Sequence, residues 1–449
     1  MYNVENSAIS RNSIMINILI FTAFYQPIVN RDLPYEMELR GVQFSRYTFR
    51  FYDPPFFIEP EYINNLPVYF KNHISISSSF SFDSIGDFYF SPFVKYNAER
   101  FIVAVEPVFK IGNTGWPEQK WQNFLCGAYS RAYIYWHRKP FSILYGRNRL
   151  SLNSGVVIDQ IDPAIDLIYL DYRKKTLLFS YFFSQVSPYK DDTLFLNRYL
   201  VGHSIEFTKG GLNLSFTEVC LFFNYGNSPD FYYLNPLVFY YEKGFDTGLH
   251  GETNVFWIPA VKYKFGKNLI NFELDVDDFQ YQITTYAPPK IAWRIGYHTI
   301  DFLTPRSYLS LEYFGSTRWV FTHGTYILNW QNRKETMGNL NDCDEDVIRL
   351  YFLKHLTLYD LGFDASFKWN GAGSVNERDI YWGNGPYPRD YFLTGTVEKR
   401  INFSPIVQSN LKNYFAYLSP SISYAWNHQH ILHNNKWLYG LSIKFFAGR

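Results

Sequence analysis

The strongest constraint on the fold of this chain is a regular alternation of side-chain character. The segment 437–445 reads W-L-Y-G-L-S-I-K-F. Successive side chains of a β-strand point to opposite faces of the sheet, so one face of this strand is aromatic and aliphatic throughout. The other face carries Leu438, Gly440, Ser442 and Lys444. One face suited to hydrocarbon and one suited to water are typical of a strand in a transmembrane β-barrel.

The same period recurs from about residue 74 to the end of the chain. It is clearest in the segments 74–82, 168–172, 177–181, 212–216 and 270–276. In the last of these, the carboxylates of Glu273 and Asp275 share one face, whereas Ile270 and Phe272 lie on the other. No apolar run approaches the roughly 18 residues that a transmembrane helix needs. The pattern therefore favours strands over helices as the membrane-crossing elements.

The composition agrees with this prediction. Aromatic residues make up 21% of the chain, which is more than an ordinary soluble core requires. In a membrane barrel, aromatic residues form a girdle at each membrane interface. Lys and Arg number 42 against 41 Asp and Glu, so net charge gives no reason to expect a nucleic-acid partner.

Short connections that contain Gly, Asn or Lys predict hairpin turns. They lie at 173–175, 209–211 and 266–268. The connections between them are longer and fall at 147–166, 184–199 and 220–257, with further long ones near 331–347 and 371–390. Outer-membrane barrels have short periplasmic turns and long extracellular loops. The short turns are therefore predicted to be periplasmic and the long connections extracellular.

Together these features predict an all-β protein, a transmembrane antiparallel β-barrel of about 16–18 strands with long extracellular loops. We expect a monomeric barrel in the bacterial outer membrane, in contact with its lipid. The barrel is predicted to span residues 71–449, after an irregular N-terminal segment at 31–70. Residues 1–30 are a possible signal peptide, because 14–24 has the length of a signal-peptide core.

Several polar groups could carry chemistry. Paired carboxylates could hydrolyse a glycoside, the acidic run 341–346 could hold calcium, and His428, His430 and His433 could bind a metal. The acidic run lacks the glycine and the distal glutamate of an EF-hand, and no carboxylate or cysteine lies near the histidines in sequence. We therefore expect solvated polar loops, with no catalytic residue, no metal and no cofactor.

The segment 231–242, F-Y-Y-L-N-P-L-V-F-Y-Y-E, places six aromatic residues around Asn235 and Glu242. Amide and carboxylate groups bond to sugar hydroxyls, and flat rings stack on sugar C–H faces. Anchoring at the lipid interface explains the aromatic residues equally well. Sugar recognition and lipid anchoring both remain open for this segment.

This segment is one of several motifs that resemble, in the same order, the capsule-assembly family of Wzi-like outer-membrane proteins. The motifs are Y-G-R-N-R-L (145–150), I-D-Q-I-D-P-A-I-D (158–166), T-E-V-C-L-F (217–222), Y-L-N-P-L-V-F-Y (233–240), D-D-F-Q (277–280) and M-G-N-L-N-D-C-D-E-D (337–346). The resemblance covers roughly residues 140–350. It implies an outer-membrane barrel that binds capsular or other surface polysaccharide, as a lectin-like anchor rather than an enzyme.

By matching position, the resemblance implies a set of polysaccharide-binding residues. They are Arg147, Asp159, Asp166, Glu218, Asn235, Glu242, Asn254, Asp277 and Asp278, and the nearby Tyr232, Tyr233 and Tyr240 could stack on sugar rings. Alternatively, Arg147 could form a salt bridge with Asp159 or Asp166 that braces the lumen. Glu218 shares the parity of Phe216 on the lipid side, which requires either a β-bulge or a strand that has left the membrane.

Three other functions remain open from the sequence. The chief alternative is a general or sugar-selective diffusion porin, which has the same fold. An outer-membrane enzyme could use carboxylates such as Asp342 and Asp344. A soluble all-β binding protein would also show alternation, but it would need a very thick core to hold so many aromatic residues.

Overall fold

The computed structural model describes most of the predicted barrel. The described residues are 49–51, 73–82, 88–98, 100–111, 120–122, 125–153, 155–159, 164–190, 194–243, 253–278, 289–333, 335–338, 343–380, 390–411 and 414–448. The possible signal peptide, 1–30, lies outside them, as does the segment 31–70 except for residues 49–51.

In the described residues, eighteen strands follow one another around a closed barrel. They are β1 (His73–Phe82), β2 (Phe88–Asn97), β3 (Phe101–Ile111), β4 (Leu125–Arg138), β5 (Phe141–Asn148), β6 (Ile165–Lys174), β7 (Leu177–Lys190), β8 (Phe195–Lys209), β9 (Leu212–Phe223), β10 (Thr253–Phe265), β11 (Asn268–Asp278), β12 (Lys290–Ile300), β13 (Ser307–Ser316), β14 (Glu345–His355), β15 (Tyr359–Asn370), β16 (Glu398–Leu411), β17 (Tyr414–Trp426) and β18 (Lys436–Gly448). A further short strand, Lys120–Gln122, pairs with β4.

Every strand of the barrel pairs antiparallel with its neighbour in chain order. Pairing of β18 with β1, with Phe80 opposite Phe445, closes the sheet. An antiparallel ring needs an even number of strands and leaves no unpaired edge. The predicted fold class is therefore confirmed, and 18 strands agree with the predicted 16–18.

In the described part of the chain, no helix is long and apolar enough to cross a bilayer. This part of the chain includes single 3₁₀ turns at Phe231–Leu234, Tyr326–Leu328 and His428–His430.

The two faces of the sheet differ as the alternation predicts. Ile205, Phe216 and Ile270 are exposed on the outer surface, whereas Glu273 and Asp275 are buried on the inner surface. Exposed apolar side chains continue around most of the barrel and form an apolar belt. Such a belt on a closed sheet is the surface that a bilayer covers.

Short turns lie at one end of the barrel. Gly210 and Gly266 adopt positive φ angles of 60° and 58°, a conformation that costs glycine less than other residues. The predicted turns after β6, β8 and β10 are confirmed, as are long connections after β5, β9, β13 and β15. The long connections therefore share the opposite, extracellular end.

The prediction of a long connection at 184–199 is wrong. Strand β7 continues to Lys190 and β8 begins at Phe195, so only residues 191–194 separate them. These strands have 14 and 15 residues, more than the roughly 9–11 that cross a membrane. Their upper ends extend beyond the apolar belt and carry polar residues such as Gln185 and Asn197 on the outer surface, which in sequence resembles a loop.

Three extracellular loops fold back into the lumen. Their described residues within 149–159, 317–338 and 371–380 form what we call the plug. Apolar plug residues such as Val157, Phe321 and Trp330 pack against inward residues of the wall such as Leu200 and Phe256. The extracellular half of the lumen therefore holds an apolar core, which burial of these side chains stabilises.

Two small ladders of strands complete the plug. Gln331–Asn332 pairs with Glu335–Thr336, and Leu150–Leu152 pairs with Phe49–Phe51. The second ladder places residues 49–51 of the N-terminal segment beside the plug.

Candidate functional site

Arg198 is the main link between the plug and the barrel wall. It lies on the inner face of β8 and is buried. Its guanidinium donates hydrogen bonds to the backbone oxygens of Ile327 (3.0 Å), Asn329 (3.2 Å) and Gln331 (2.6 Å). It also donates to the backbone oxygen of Ser187 at 2.9 Å. One side chain therefore fixes three carbonyls of a plug loop.

Further polar contacts connect the plug loops to each other and to the wall. Asn254 Nδ2 on β10 donates to the backbone oxygen of Leu328 at 3.1 Å. Trp330 Nε1 donates to the backbone oxygen of Val157 at 2.8 Å and so joins two plug loops. Buried polar groups that are bonded in this way hold their partners in one arrangement. The plug is therefore fixed at several points.

The third plug loop is held by an ion pair and an amide. Asp379 pairs with Lys290 of β12 at 2.7 Å, and both side chains are buried. Asn329 Nδ2 donates to the backbone oxygens of Val375 (2.7 Å) and Glu377 (2.8 Å). Breaking such a buried pair would leave an uncompensated charge, so this contact opposes release of the loop.

His323 is buried within the plug and is neutral near pH 7. Burial, and to a lesser extent the nearby positive charge of Lys290, lower its pKa to about 3. The backbone N–H of His323 donates to Asn329 Oδ1 at 3.0 Å, and its carbonyl accepts from the N–H of Asp379. Protonation of His323 would place a second positive charge beside Lys290.

Residues 224–243 form a second structure, which we call the outer-wall loop. This loop does not enter the lumen but folds over the outside of β7–β10. Its Tyr233 and Tyr240 pack with outward-facing residues of the wall, among them Tyr199, Cys220 and Phe222. The rings of Phe222 and Tyr233 stack with centroids 4.0 Å apart.

Glu218 holds the outer-wall loop against the barrel. Its carboxylate accepts hydrogen bonds from the backbone N–H groups of Tyr240 (2.7 Å) and Tyr241 (3.2 Å) and from Trp257 Nε1 (2.8 Å). The registers of β9 with both neighbours are continuous, so no bulge turns Glu218 inward. Glu218 thus lies on the outer face two residues beyond Phe216, and the loop provides the partners that a buried carboxylate requires.

The aromatic residues predicted to stack on sugars are already packed or hydrogen-bonded within the protein in this arrangement. Tyr233 and Tyr240 are buried, and Tyr232 Oη donates to the backbone oxygen of Phe239 at 3.1 Å. Stacking of a sugar on Tyr233 or Tyr240 would require the loop to lift. Phe231 and Leu237 of the same loop are exposed beside the apolar belt.

Arg147 and Asp166 form a bidentate ion pair. Arg147 Nε lies 2.9 Å from Asp166 Oδ1, and Nη2 lies 2.5 Å from Oδ2. The pair joins β5 and β6 on the outer face, above the exposed Tyr145 and Ile168. The alternative prediction, a salt bridge inside the lumen, is therefore wrong about the location of the pair. The pairing of Arg147 with Asp166 itself is as predicted.

The other predicted residues are dispersed. Asp159 belongs to the plug, where its carboxylate accepts from Ser151 Oγ at 3.0 Å. Asn235 and Glu242 are exposed on the outer-wall loop, and Asp277 is half-buried near the end of β11. The side chain of Asp278 is not among the described parts of the structure. The predicted set therefore divides between the plug, the barrel wall, the outer-wall loop and the rim.

Asp344, one of the carboxylates considered for an enzyme, is a buried structural acceptor. Its Oδ2 accepts from the backbone N–H of Thr394 (3.0 Å), the hydroxyl of Thr394 (2.6 Å) and the N–H of Gly373 (3.2 Å). Asp342 lies outside the described residues.

One wall of the lumen is less covered than the rest. Many inward residues of β15–β17 are half-buried, whereas those of β8–β10 near the plug are buried. We call this less covered strip the polar groove. Its described half-buried residues are Asp364, Ser366, Lys368, Arg400, Asn402, Ser404, Ser421 and Ser423.

The predicted site residues do not include those of the polar groove, because the motifs that carry the prediction lie outside β15–β17. The signal was present, since Ser366 and Lys368 alternate with Phe367 on β15, and Arg400 and Asn402 alternate with Ile401 on β16.

No family model and no curated protein matches the sequence. Among solved structures, the chain is similar to Wzi of Escherichia coli, an outer-membrane protein involved in group 1 capsule assembly and a carbohydrate-binding β-barrel. The TM-score is 0.60 at 10% sequence identity, over 93% of this chain and 97% of Wzi.

Two further solved structures are also similar. OccD3 (OpdP) of Pseudomonas aeruginosa gives a TM-score of 0.48 at 11% identity, over 84% of this chain and 90% of that chain. OprD of the same organism gives 0.45 at 8% identity, over 84% and 94%. At the identity found with Wzi, the likeness concerns the fold. With its closed sheet and apolar belt, the chain is a β-barrel of the bacterial outer membrane with the fold of Wzi.

Proposed function

We propose that this barrel binds capsular or another surface polysaccharide and helps to attach or assemble it at the cell surface, without catalysing a reaction. The observation that carries the proposal is the plug. A barrel made for free diffusion has a water-filled lumen, whereas here apolar loop residues occupy the extracellular half. The similarity in fold to Wzi, itself a carbohydrate-binding barrel, supports the same function.

Four of the predicted residues are accessible for direct contact with a polysaccharide. Arg147 and Asp166 lie at the rim, and Asn235 and Glu242 lie on the outer-wall loop. A guanidinium and an amide donate to sugar hydroxyls, and carboxylates accept from them. Asp159, Glu218 and Asn254 are engaged within the protein, so we assign them to positioning of the loops.

Retention of polysaccharide on cells tests the proposal. The gene is deleted and complemented with wild type, Asn235→Ala or Arg147→Ala, and cell-bound and released polysaccharide are measured. We expect wild type to restore retention and both variants to restore less. Lys267→Ala is the matched control, because Lys267 forms a similar exposed ion pair with Asp301 at the periplasmic end (3.0 Å).

Two results would overturn the proposal. If deletion of the gene leaves polysaccharide retention unchanged, the proposed function is wrong. Retention restored equally by all variants would remove Asn235 and Arg147 from the site. Heat-dependent migration in gels, which reports a folded barrel, shows that each variant has been inserted.

A sugar-selective diffusion channel is the second candidate function. The half-buried polar groove favours it, because water reaches that wall of the lumen. Liposomes that contain the protein would then swell in solutions of small neutral sugars at a rate set by sugar size. A binding barrel would leave the swelling rate at that of empty liposomes.

A further inference from the structure

We infer that the polar groove is a binding site for carboxylate-bearing sugars, so that the polysaccharide it takes is acidic. The inference rests on the proposed function and names the ligand class. Its main elements are Lys368 on β15 and Arg400 on β16, which point into the lumen.

Lys368 and Arg400 are directly opposite each other across two neighbouring strands. Side chains in this relation lie roughly 5 Å apart at Cβ, and two like charges there repel. Each has a carboxylate of its own. Lys368 Nζ bonds to Glu345, and Arg400 Nη2 bonds to Glu398 at 2.5 Å. The carboxylates make it possible to keep two cations side by side.

The carboxylates lie behind the cations. The side chains of Glu345 and Glu398 are 2% and 9% exposed, whereas those of Lys368 and Arg400 are 16% and 32% exposed. In addition, Arg400 Nε is buried and forms no hydrogen bond within the described part of the chain. The surface that a ligand meets at this height is therefore cationic, although the cluster as a whole is neutral.

The groove changes character toward the periplasm. There Asp364 is the more exposed partner of a pair with Arg349, whose Nη2 donates to it at 2.8 Å. An anionic ligand is therefore favoured at the level of Lys368 and Arg400 and not below it.

Neutral polar groups surround the cation pair. Asn402 Nδ2 donates to Ser366 Oγ at 3.0 Å, and Ser421 and Ser423 are half-buried on β17. Hydroxyls and amides match the hydroxyls of a sugar, and two adjacent cations match a carboxylate through charge-assisted hydrogen bonds. A uronic acid residue presents both kinds of group, whereas a simple anion presents only the charge.

The test compares one acidic polymer with its own neutral form. Fluorescent alginate oligosaccharides and the same oligosaccharides after reduction of their carboxyl groups are titrated against the detergent-purified full chain. We expect the carboxyl-reduced form to bind about tenfold more weakly or worse. Acetate is the probe for a simple anion and is expected not to compete with alginate at equal carboxylate concentration.

Variants locate the site. Lys368→Met with Glu345→Gln, and Arg400→Met with Glu398→Gln, remove each cation together with its carboxylate, so that no buried charge is left unpaired. We expect each double variant to weaken alginate binding about tenfold and to leave binding of the reduced form unchanged. Lys267→Met, which removes a cation at the periplasmic turns, is the matched control and should change neither.

Equal binding of the acidic and reduced forms would overturn the inference while the proposed function stood. Alginate binding unaffected by both double variants would also overturn it, since the acid would then bind elsewhere. Failure of the acidic alginate oligosaccharides to bind would remove the anion site. The retention assay on cells would decide the proposed function separately.

Discussion

Arg198 binds carbonyl groups where a buried arginine more often meets a carboxylate. Among the described residues no carboxylate pairs with it, and its donors are used by backbone oxygens of β7 and the plug. Backbone carbonyls do not titrate, so this contact holds over a wide pH range. At the residue scale, then, one side chain of the wall holds three carbonyls of a loop for which the sequence predicts only its length.

Replacement of Arg198 tests its role in holding the plug. In Arg198→Met three loop carbonyls lose their donor, and we expect the plug to be destabilised by about 3 kcal/mol while the barrel stays folded. Limited proteolysis within 317–338, in detergent, measures the change. Arg147→Met removes an exposed pair, worth less than about 1 kcal/mol, and is the control. Equal resistance of Arg198→Met and wild type would contradict the assignment.

His323 gives the plug a pH dependence. Its folded pKa of about 3 lies below the ordinary value of 6.5, so its neutral form contributes stability above pH 6.5. This contribution is lost as the pH falls from 6.5 toward 3, and the loss is roughly 2 kcal/mol at pH 5. We expect the plug to become protease-sensitive at pH 5, and much less so in His323→Gln.

His433→Gln, in an exposed loop, is the control for this pH effect. It should behave as the wild type at both pH 7.5 and pH 5. If His323→Gln gained sensitivity at pH 5 as steeply as the wild type, the titrating group would be another one.

The outer-wall loop is the element that sequence reasoning missed most completely. Alternation along β9 places Glu218 on the lipid side, and that parity is correct. Local pattern cannot show that residues 240 and 241 return to cap the carboxylate. An unpaired carboxylate beside hydrocarbon is energetically unfavourable, so the sequence does predict that some segment provides hydrogen-bond partners for Glu218. It does not identify that segment.

Loss of the Glu218 carboxylate should release the outer-wall loop. Cys220 lies buried beneath this loop and reports its opening. In a background with Cys126→Ser and Cys343→Ser, we expect Glu218→Ala to raise the rate of maleimide labelling at Cys220 by about tenfold. Such a change corresponds to the loss of about 1–3 kcal/mol when buried donors lose their acceptor.

Glu242→Ala, on the exposed side of the same loop, is the matched control and should leave labelling slow. Slow labelling in Glu218→Ala as well would mean that aromatic packing alone holds the loop.

Among elements, the strands were the most predictable part. Their alternation is visible within each segment, as in Ile270 to Val276, and each of the three predicted hairpin turns contains a glycine or a lysine. The polar upper ends of β7 and β8 were not predictable, because a strand above the bilayer no longer needs an apolar outer face. The candidate site was harder still, since it depends on which loops meet in space.

At the scale of the whole molecule, a closed barrel surrounds a lumen whose extracellular half is filled by the barrel's own loops. The barrel follows from alternation over many strands. The filling follows from contacts between segments more than a hundred residues apart, such as Arg198 with Asn329 and Trp330 with Val157. This filling is the basis of the proposal that the barrel binds a polysaccharide and does not serve as an open pore.

Conductance of the purified protein in a planar bilayer tests this central claim most directly. We expect the wild type to give small conductance steps or none, and Arg198→Met to give larger ones as the plug loosens. Large, steady steps from the wild type, equal to those of Arg198→Met, would show an open lumen and contradict the account.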